Sequence, residues 1–249
     1  MHRVFFPHSD FSTQEILLTD EKEIHHLLNV LRLKKNDKIN LFNGQNREAS
    51  GTIIAINSNG VKIQINEVKK FHSQNATMIL ACAIPKKSKF EFIIEKTTEL
   101  GVAEIIPLRT QRTEINLNEE RLIKKNLRYQ TVAINAAKQC RRQNIPIIHT
   151  ITDFSTAIAQ LSQRTTLLIP SLIEPRIPLL QALNQMNPKQ NISIFIGPEG
   201  DFTPEEYALA KAKGCTAVSL GETILKVETA AIISVGCSQL FFNDHAVRT

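Results

Sequence analysis

Two periodicities divide this 249-residue chain. Over the first 70 residues, apolar positions tend to recur every second residue. Val61, Ile63 and Ile65 alternate with Lys62, Gln64 and Asn66, the pattern of a half-buried strand. Residues 49–56 precede it across Asn57-Ser58-Asn59-Gly60, which predicts a hairpin turn. Residues 39–42 before Asn43-Gly44 predict another strand and turn. One helix interrupts: Asp20 and Glu23 form an N-cap and third-position pair, and Ile24, Leu27, Leu28 and Leu31 share a face. A small β-barrel with one inserted helix fits this pattern.

From residue 77 the period changes. Residues 77–84 form an apolar run of strand length. Ser88 is then placed to cap a helix with Phe90, Ile93, Ile94 and Thr97 on one side, and Gly101 follows Leu100 as a stop. Residues 103–107 predict a strand, and 118–141 a long helix with Leu122, Val132, Ala136 and Cys140 inward. Residues 166–169 and 192–196 predict buried strands. Thr203-Pro204-Glu205-Glu206 combines a cap, a proline at the first position and a glutamate at the third. Gly214 ends that helix, residues 216–220 make a strand, and 228–242 the final helix. Strands alternating with helices predict an α/β domain with a largely parallel sheet. The boundary falls near residues 70–76, giving domains 1–72 and 73–249.

Composition narrows the class. With 42% hydrophobic and 22% charged residues the chain is globular rather than disordered. Cys82, Cys140, Cys215 and Cys237 are widely spaced without a CxxC pair, so neither a disulfide framework nor a zinc site is expected, and no metal. No run of about 18 apolar residues exists, and Arg3, His8, Asp10 and Glu15 interrupt any leader-like core, so the expected location is the cytoplasm. Charge is uneven: +2 over residues 1–72, +6 over 73–150 and −2 over 151–249. A basic middle suggests a polyanion surface.

Ligands of parallel sheets bind at the carboxyl ends of strands. Two glycine loops stand there, Ile196-Gly197-Pro198-Glu199-Gly200-Asp201-Phe202 and Leu220-Gly221-Glu222-Thr223-Ile224-Leu225-Lys226. Neither is a phosphate loop, and Glu199, Asp201, Glu205 and Glu206 would repel phosphate. A ligand with ribose hydroxyls, an amine and a positive centre suits them, as in S-adenosylmethionine. The basic clusters supply the polyanion side: Lys86, Lys87 and Lys89, then Arg109 and Arg112, then Lys138, Arg141 and Arg142, with Arg3 and Arg32 from the N-terminal region. Cations ending a helix also serve as ordinary caps.

These residues resemble a family. IGPEGDF (196–202) and LGETILKVETAA (220–231), with ELGV (99–102), KQCRR (138–142) and VLRL (30–33), are similar to the RsmE family of small-subunit rRNA methyltransferases, within the SPOUT superfamily. The resemblance runs nearly end to end. It implies a PUA-like barrel that helps bind 16S ribosomal RNA, an α/β domain with a C-terminal trefoil knot, a homodimer, and methylation of uridine at N3. Carried over by position, it puts Gly197, Pro198, Glu199, Gly200, Leu220, Gly221, Ile224 and Leu225 around the cofactor, with Thr229 and Ala230 behind and Ile169 and Pro170 as a third wall. The family usually shows Gly where Asp201 stands, and basic residues where Thr223 and Lys226 stand. Uridine N3 must lose a proton, so a cation and a carboxylate are needed. Arg112 and Arg109 are the candidates for the first role, Glu199 or Glu228 for the second. Two other readings stay open: a catalytically idle RNA-binding assembly factor, and a nucleotide-phosphate enzyme, against which the acidic loop argues.

Overall fold

The period-two segments of the N-terminal region form one sheet in a computed structural model that describes residues 2–7, 9–71, 76–86, 89–113 and 119–247. Strand β1 (His2–Phe5) is followed by β2 (Glu15–Leu18), helix α1 (Glu21–His25), β3 (Lys38–Phe42), β4 (Arg47–Asn57) and β5 (Gly60–Lys70). The sheet order is β1-β3-β4-β5-β2. The expected hairpin joins β4 to β5, with Asn57 opposite Gly60. Register shifts at Ser50/Gly51 and Ile53/Ala55 interrupt that ladder, the kind of irregularity that bends long strands. Among the described residues the ladder ends at β1 and β2, and no pairing between them closes it into a barrel. Asp20 caps α1 by accepting the Glu23 N–H at 2.8 Å. The helix widens into a π-turn through Val30, and Leu27 enters a core with Ile39, Leu41, Ile53 and Ile63.

The chain forms two units, Met1–Ser73 with Ala137–Ile145, and Gln74–Ala136 with Pro146–Thr249. The second opens with β6 (Met78–Ala83), α2 (Lys89–Glu99), β7 (Glu104–Arg109) and α3 (Glu119–Gln139), the last turn of which belongs to the first unit. It continues through β8 (Ile147–Ile148), β9 (Thr152–Asp153), α4 (Phe154–Leu161), β10 (Thr166–Pro170), β11 (Ile177–Pro178), α5 (Leu179–Asn184) and β12 (Ile192–Ile196). Helix α6 (Pro204–Ala212), β13 (Thr216–Ser219) and α7 (Val227–Val247) complete it. The sheet order is β11-β13-β10-β12-β6-β7-β8, with β9 also on β7. Its pairings are parallel. Every residue of β6 and β12 is buried, which is why these strands read as continuous apolar runs rather than alternations. Phe154, Phe195 and Phe202 anchor the core, with ring centroids 4.9 and 5.7 Å from Phe154.

One connection matters for the site. Strand β10 ends at Pro170 and β11 begins at Ile177, yet both flank β13, because Pro170 and Ile177 each stand beside Val218. Residues 171–176 therefore carry the chain from one side of β13 to the other as a short arch. Ser171 ties its start to β13 by donating its N–H to the Val218 carbonyl at 3.0 Å.

The long elements fall where the periodicity puts them, with α7 extending five residues beyond the expected end at 242. The sequence pattern assigns no element to β1, β2, α4 or α5, and it also passes over β8, β9 and β11, which have two residues each, too few to display a period. Ser88 and most of the expected linker lie outside the described residues.

Candidate functional site

Because β13, β10 and β12 are neighbours in the sheet, three loops leave adjacent carboxyl ends: 220–226, 171–176 and 197–203. Together they border a cavity of about 380 Å³. Of the predicted cofactor residues, Pro170, Gly197, Pro198, Glu199, Leu220, Gly221, Ile224, Leu225 and Ala230 line it. Ile169, Gly200 and Thr229 do not: Ile169 is in the core, and the other two are exposed. Ser171, Arg176, Lys226 and Lys89 also line it. Ser171 and Arg176 carried no signal, since the arch has neither a glycine nor a period.

The loop after β12 is pinned at its far end by the predicted capping box. Glu206 donates its N–H to Thr203 Oγ1 at 3.3 Å, and Thr203 returns its own to Glu206 Oε2 at 2.9 Å. The other oxygen of Glu206 accepts the Gln111 N–H at 3.0 Å. Asp201 adopts the left-handed region at φ 63°. Glycine fits there best and Asp tolerates it, which accounts for Asp at a position where the resemblance leads one to expect Gly. Its Oδ1 accepts from the Phe202 N–H and from the Tyr207 hydroxyl, both at 2.8 Å. At Gly197 a Cβ would stand 3.1 Å from the Phe202 ring, so a side chain there would require that ring to shift by a few tenths of an ångström. Gly221 lies at φ 124°, a conformation that strains any L-residue, and a Cβ there meets no protein atom within 4 Å.

The lining is charged in both signs: Glu199, Asp201 and Glu228 against Lys89, Arg176 and Lys226. Glu199 accepts the Lys86 backbone N–H at 3.0 Å. Lys89 Nζ stands 3.1 Å from Glu228. Burial pushes the Glu228 carboxyl up, but its own backbone N–H and the charges of Lys89 and Lys226 outweigh this and hold it below the usual range. It is therefore a carboxylate at neutral pH, and its Oε2 is enclosed without a hydrogen-bond donor. Close backbone approach at two glycines, carboxylates for hydroxyls and an ammonium, and a cation for a carboxylate suit a zwitterionic nucleoside such as S-adenosylmethionine.

The structure does not bring the two arginine candidates to the cavity. Arg109 pairs with Asp153 (2.6 and 3.1 Å) and borders a separate hollow of about 360 Å³. Arg112 turns its guanidinium onto the carbonyls of Gly200 and Phe202. The RNA candidates also divide. Arg3 is enclosed within the first unit, bonded to Glu48 and to the carbonyls of Ala137 (2.9 Å) and Arg142 (2.6 Å), with its guanidinium 3.9 Å from the Phe42 ring centroid. Lys138 is held by both oxygens of Glu23 at 2.7 and 2.9 Å. Burial lowers the Arg142 guanidinium to about 10. Arg32, Lys86 and Arg141 are exposed. Lys87 lies outside the described residues. Among the described residues no group of His, Cys, Asp and Glu could hold a metal ion, and no helix is long and apolar enough to cross a membrane.

Known proteins match this chain along most of its length. A family model described as an RNA methyltransferase domain matches residues 72–239, and an RNA methyltransferase PUA domain matches residues 18–66. Ribosomal RNA small subunit methyltransferase E of Rickettsia conorii is 32% identical over 239 residues, covering 94% of this chain and 93% of that protein. The chain belongs to this family. The Synechocystis protein of the same name is also 32% identical, over 86% of this chain and 69% of that one. Two solved structures with bound S-adenosylmethionine are similar. A Legionella pneumophila methyltransferase is 28% identical, with TM-score 0.83 and 96% of each chain covered. Ribosomal RNA small subunit methyltransferase E of Neisseria gonorrhoeae is 26% identical, with TM-score 0.83, over 96% of this chain and 97% of that one.

Proposed function

We propose that this protein transfers a methyl group from S-adenosylmethionine to N3 of a uridine in 16S ribosomal RNA of the small subunit. The observation that carries the reading is the cavity where three loops leave adjacent parallel strands, its lining matched to a phosphate-free zwitterionic nucleoside. Bound there, S-adenosylmethionine supplies an electrophilic methyl on a sulfonium. The glycine loops fix its adenosine end, and positioning accounts for much of the acceleration. N3 gives up its proton as the N–C bond forms, while the sulfur keeps the electron pair of the broken C–S bond. Glu199 and Glu228 line the cavity and are the proton acceptors on this reading. Lys89, held beside Glu228, is better placed for the uridine anion than Arg109 or Arg112. Because N3 lies on the Watson–Crick edge, the target base must be unpaired.

The finer architecture belongs to the same proposal. Residues 1–72 form the PUA-like domain that helps bind RNA, with its sheet left open among the described residues, and 73–249 the methyltransferase domain. A trefoil knot is supported by the way β13 runs between two strands joined by the six-residue arch. A homodimer is supported by apolar side chains left open on α7 and the arch: Leu240 is 71% exposed, Ile173 56% and Ile233 43%. The substrate puts the protein in the cytoplasm.

The test is nucleoside mass spectrometry of small subunits from a strain lacking the gene, before and after incubation with the protein and S-adenosylmethionine. The expected result is 3-methyluridine that is absent at first and restored by the protein. Cofactor binding without any new methylated nucleoside would favour the idle assembly factor. Light scattering at micromolar concentration should give twice the chain mass.

A further inference from the structure

S-adenosylmethionine carries one anionic group, the α-carboxylate of its methionine end, and the cavity offers three cations. Lys89 is engaged by Glu228. Lys226 is an exposed side chain at the end of its loop. Arg176, at the foot of the arch, differs from both. Its Nε donates to Glu174 Oε1 at 2.9 Å and its Nη1 to the Ser171 carbonyl at 2.7 Å. Ser171 is in turn fixed to β13 through its N–H, and its Oγ accepts the Ile173 N–H at 2.9 Å. The guanidinium plane is thus held from two directions, and Nη2 makes no hydrogen bond among the described residues. The side chain is only 22% exposed. Glu174 is 69% exposed, so water screens its charge and it neutralises little of the arginine.

We infer that Arg176 receives the α-carboxylate of the cofactor, which rests on the S-adenosylmethionine reading above. Two features support it besides position. A guanidinium with one edge already spent on its own loop presents its remaining N–H groups in a fixed plane, which suits a planar carboxylate. Of the three lining carboxylates, Glu228 is paired with Lys89, and the other two, Glu199 and Asp201, come from the loop after β12, whereas Arg176 comes from the arch. The amino-acid end of the cofactor has the same two signs, an ammonium for the first loop and a carboxylate for the second.

Titration calorimetry with two ligands tests this without turnover. S-adenosylhomocysteine has the amino-acid end; 5′-methylthioadenosine has the same adenosine and sulfur but lacks both carboxylate and ammonium. Arg176→Gln should weaken S-adenosylhomocysteine about 10-fold or more, as expected for a charge-assisted bond, and leave 5′-methylthioadenosine within about twofold. Retained methylthioadenosine binding also shows that the variant is folded. Arg176→Lys keeps the stem and charge and should give an intermediate loss, and it serves where the glutamine variant does not fold. Equal losses for both ligands would mean that Arg176 only braces the arch, and the inference would be overturned. No loss for either, with a raised KM for RNA, would assign the arginine to a phosphate of the substrate and overturn it as well. Wild-type protein that binds neither ligand would instead remove the S-adenosylmethionine reading on which the inference stands.

Discussion

The cations of the first unit and the carboxylates of the cavity resemble each other in the sequence and differ in the structure. Arg3, Lys138 and Arg142 read as a basic surface, yet each is drawn into its own unit, Arg3 by Glu48 and two carbonyls, Lys138 by Glu23. Glu199, Asp201 and Glu228 read as carboxylates of a phosphate-free ligand site, and all three line the cavity. The difference lies in what surrounds each residue in the chain. Glu199 and Asp201 sit in a loop whose ends are fixed by a buried strand and a capped helix, and Glu228 in the first turn of the last helix, so their surroundings follow largely from local sequence. The cations sit on elements whose partners are about 45 to 140 residues away, and nothing local announces the pairing.

The largest effect should come from breaking the enclosed cation. Arg3→Ala leaves Glu48 and two carbonyls without their donor, and removing one member of a buried pair costs about 3–5 kcal/mol. Chemical denaturation should register that loss, while the affinity for S-adenosylhomocysteine should hold. A variant with wild-type stability and weakened RNA binding would return Arg3 to the RNA surface and dissolve the contrast.

The complementary break is at the cavity. Gly221→Val forces a β-branched residue into φ 124° and fills space next to the lining, so cofactor affinity should fall by about 100-fold or more. Its melting temperature should change less than that of Arg3→Ala. Undiminished calorimetric affinity in a folded variant would take this loop out of the site.

A third charge sharpens the comparison because it belongs neither to the first unit nor to the cavity. Glu104 on β7 is bonded to His149 at 2.8 Å and to both Arg164 nitrogens at 2.9 and 2.8 Å. Those bonds, His149 first, lower its carboxyl from 4.5 to about 2. A lowered carboxyl pKa adds stability that is complete above the unfolded value and lost as pH falls through the folded one. The expected loss is of the order of 2 kcal/mol, between about pH 5 and pH 2. Glu104→Gln should flatten that limb of the stability curve. An unchanged acid limb would show that the network is too screened to count.

Legibility followed the same division. The strand of residues 192–196, the Thr203 cap and the two glycine loops could be read because each is a local pattern: a period, a capping pair, a glycine where the backbone must turn or approach. Arg176 could not, because it gains its place from the register of β10 and β11 on either side of β13, a long-range pairing. Lys89 was read as an RNA contact for the same reason. Its neighbours in the chain are lysines, whereas its partner Glu228 lies on the last helix. The arginine candidates lie away from the cavity lining, with Arg109 on Asp153 and Arg112 on the loop carbonyls.

The smallest effect concerns the cations that stay outside. Arg32 and Arg141 are both exposed and both belong to the first unit. Deleting residues 1–72 would be a poor test of their role, since it would also strip Ala137–Ile145 of the Arg3 bonds that hold them. Single replacements avoid this. Each phosphate contact contributes about 0.7 to the slope of log affinity against log salt on single-stranded RNA. Arg32→Ala should therefore lower the slope by about that amount and weaken rRNA binding a few-fold, with stability within about 0.5 kcal/mol of wild type. Arg141→Ala should act likewise, and the two together should add. Lys138→Ala should do the reverse, costing stability through Glu23 while leaving the slope alone. If instead the slope is untouched by Arg32 and Arg141 and falls with Lys138, then the lysine reaches RNA by letting go of Glu23, and enclosure in the free protein does not decide which cations of this unit meet the substrate.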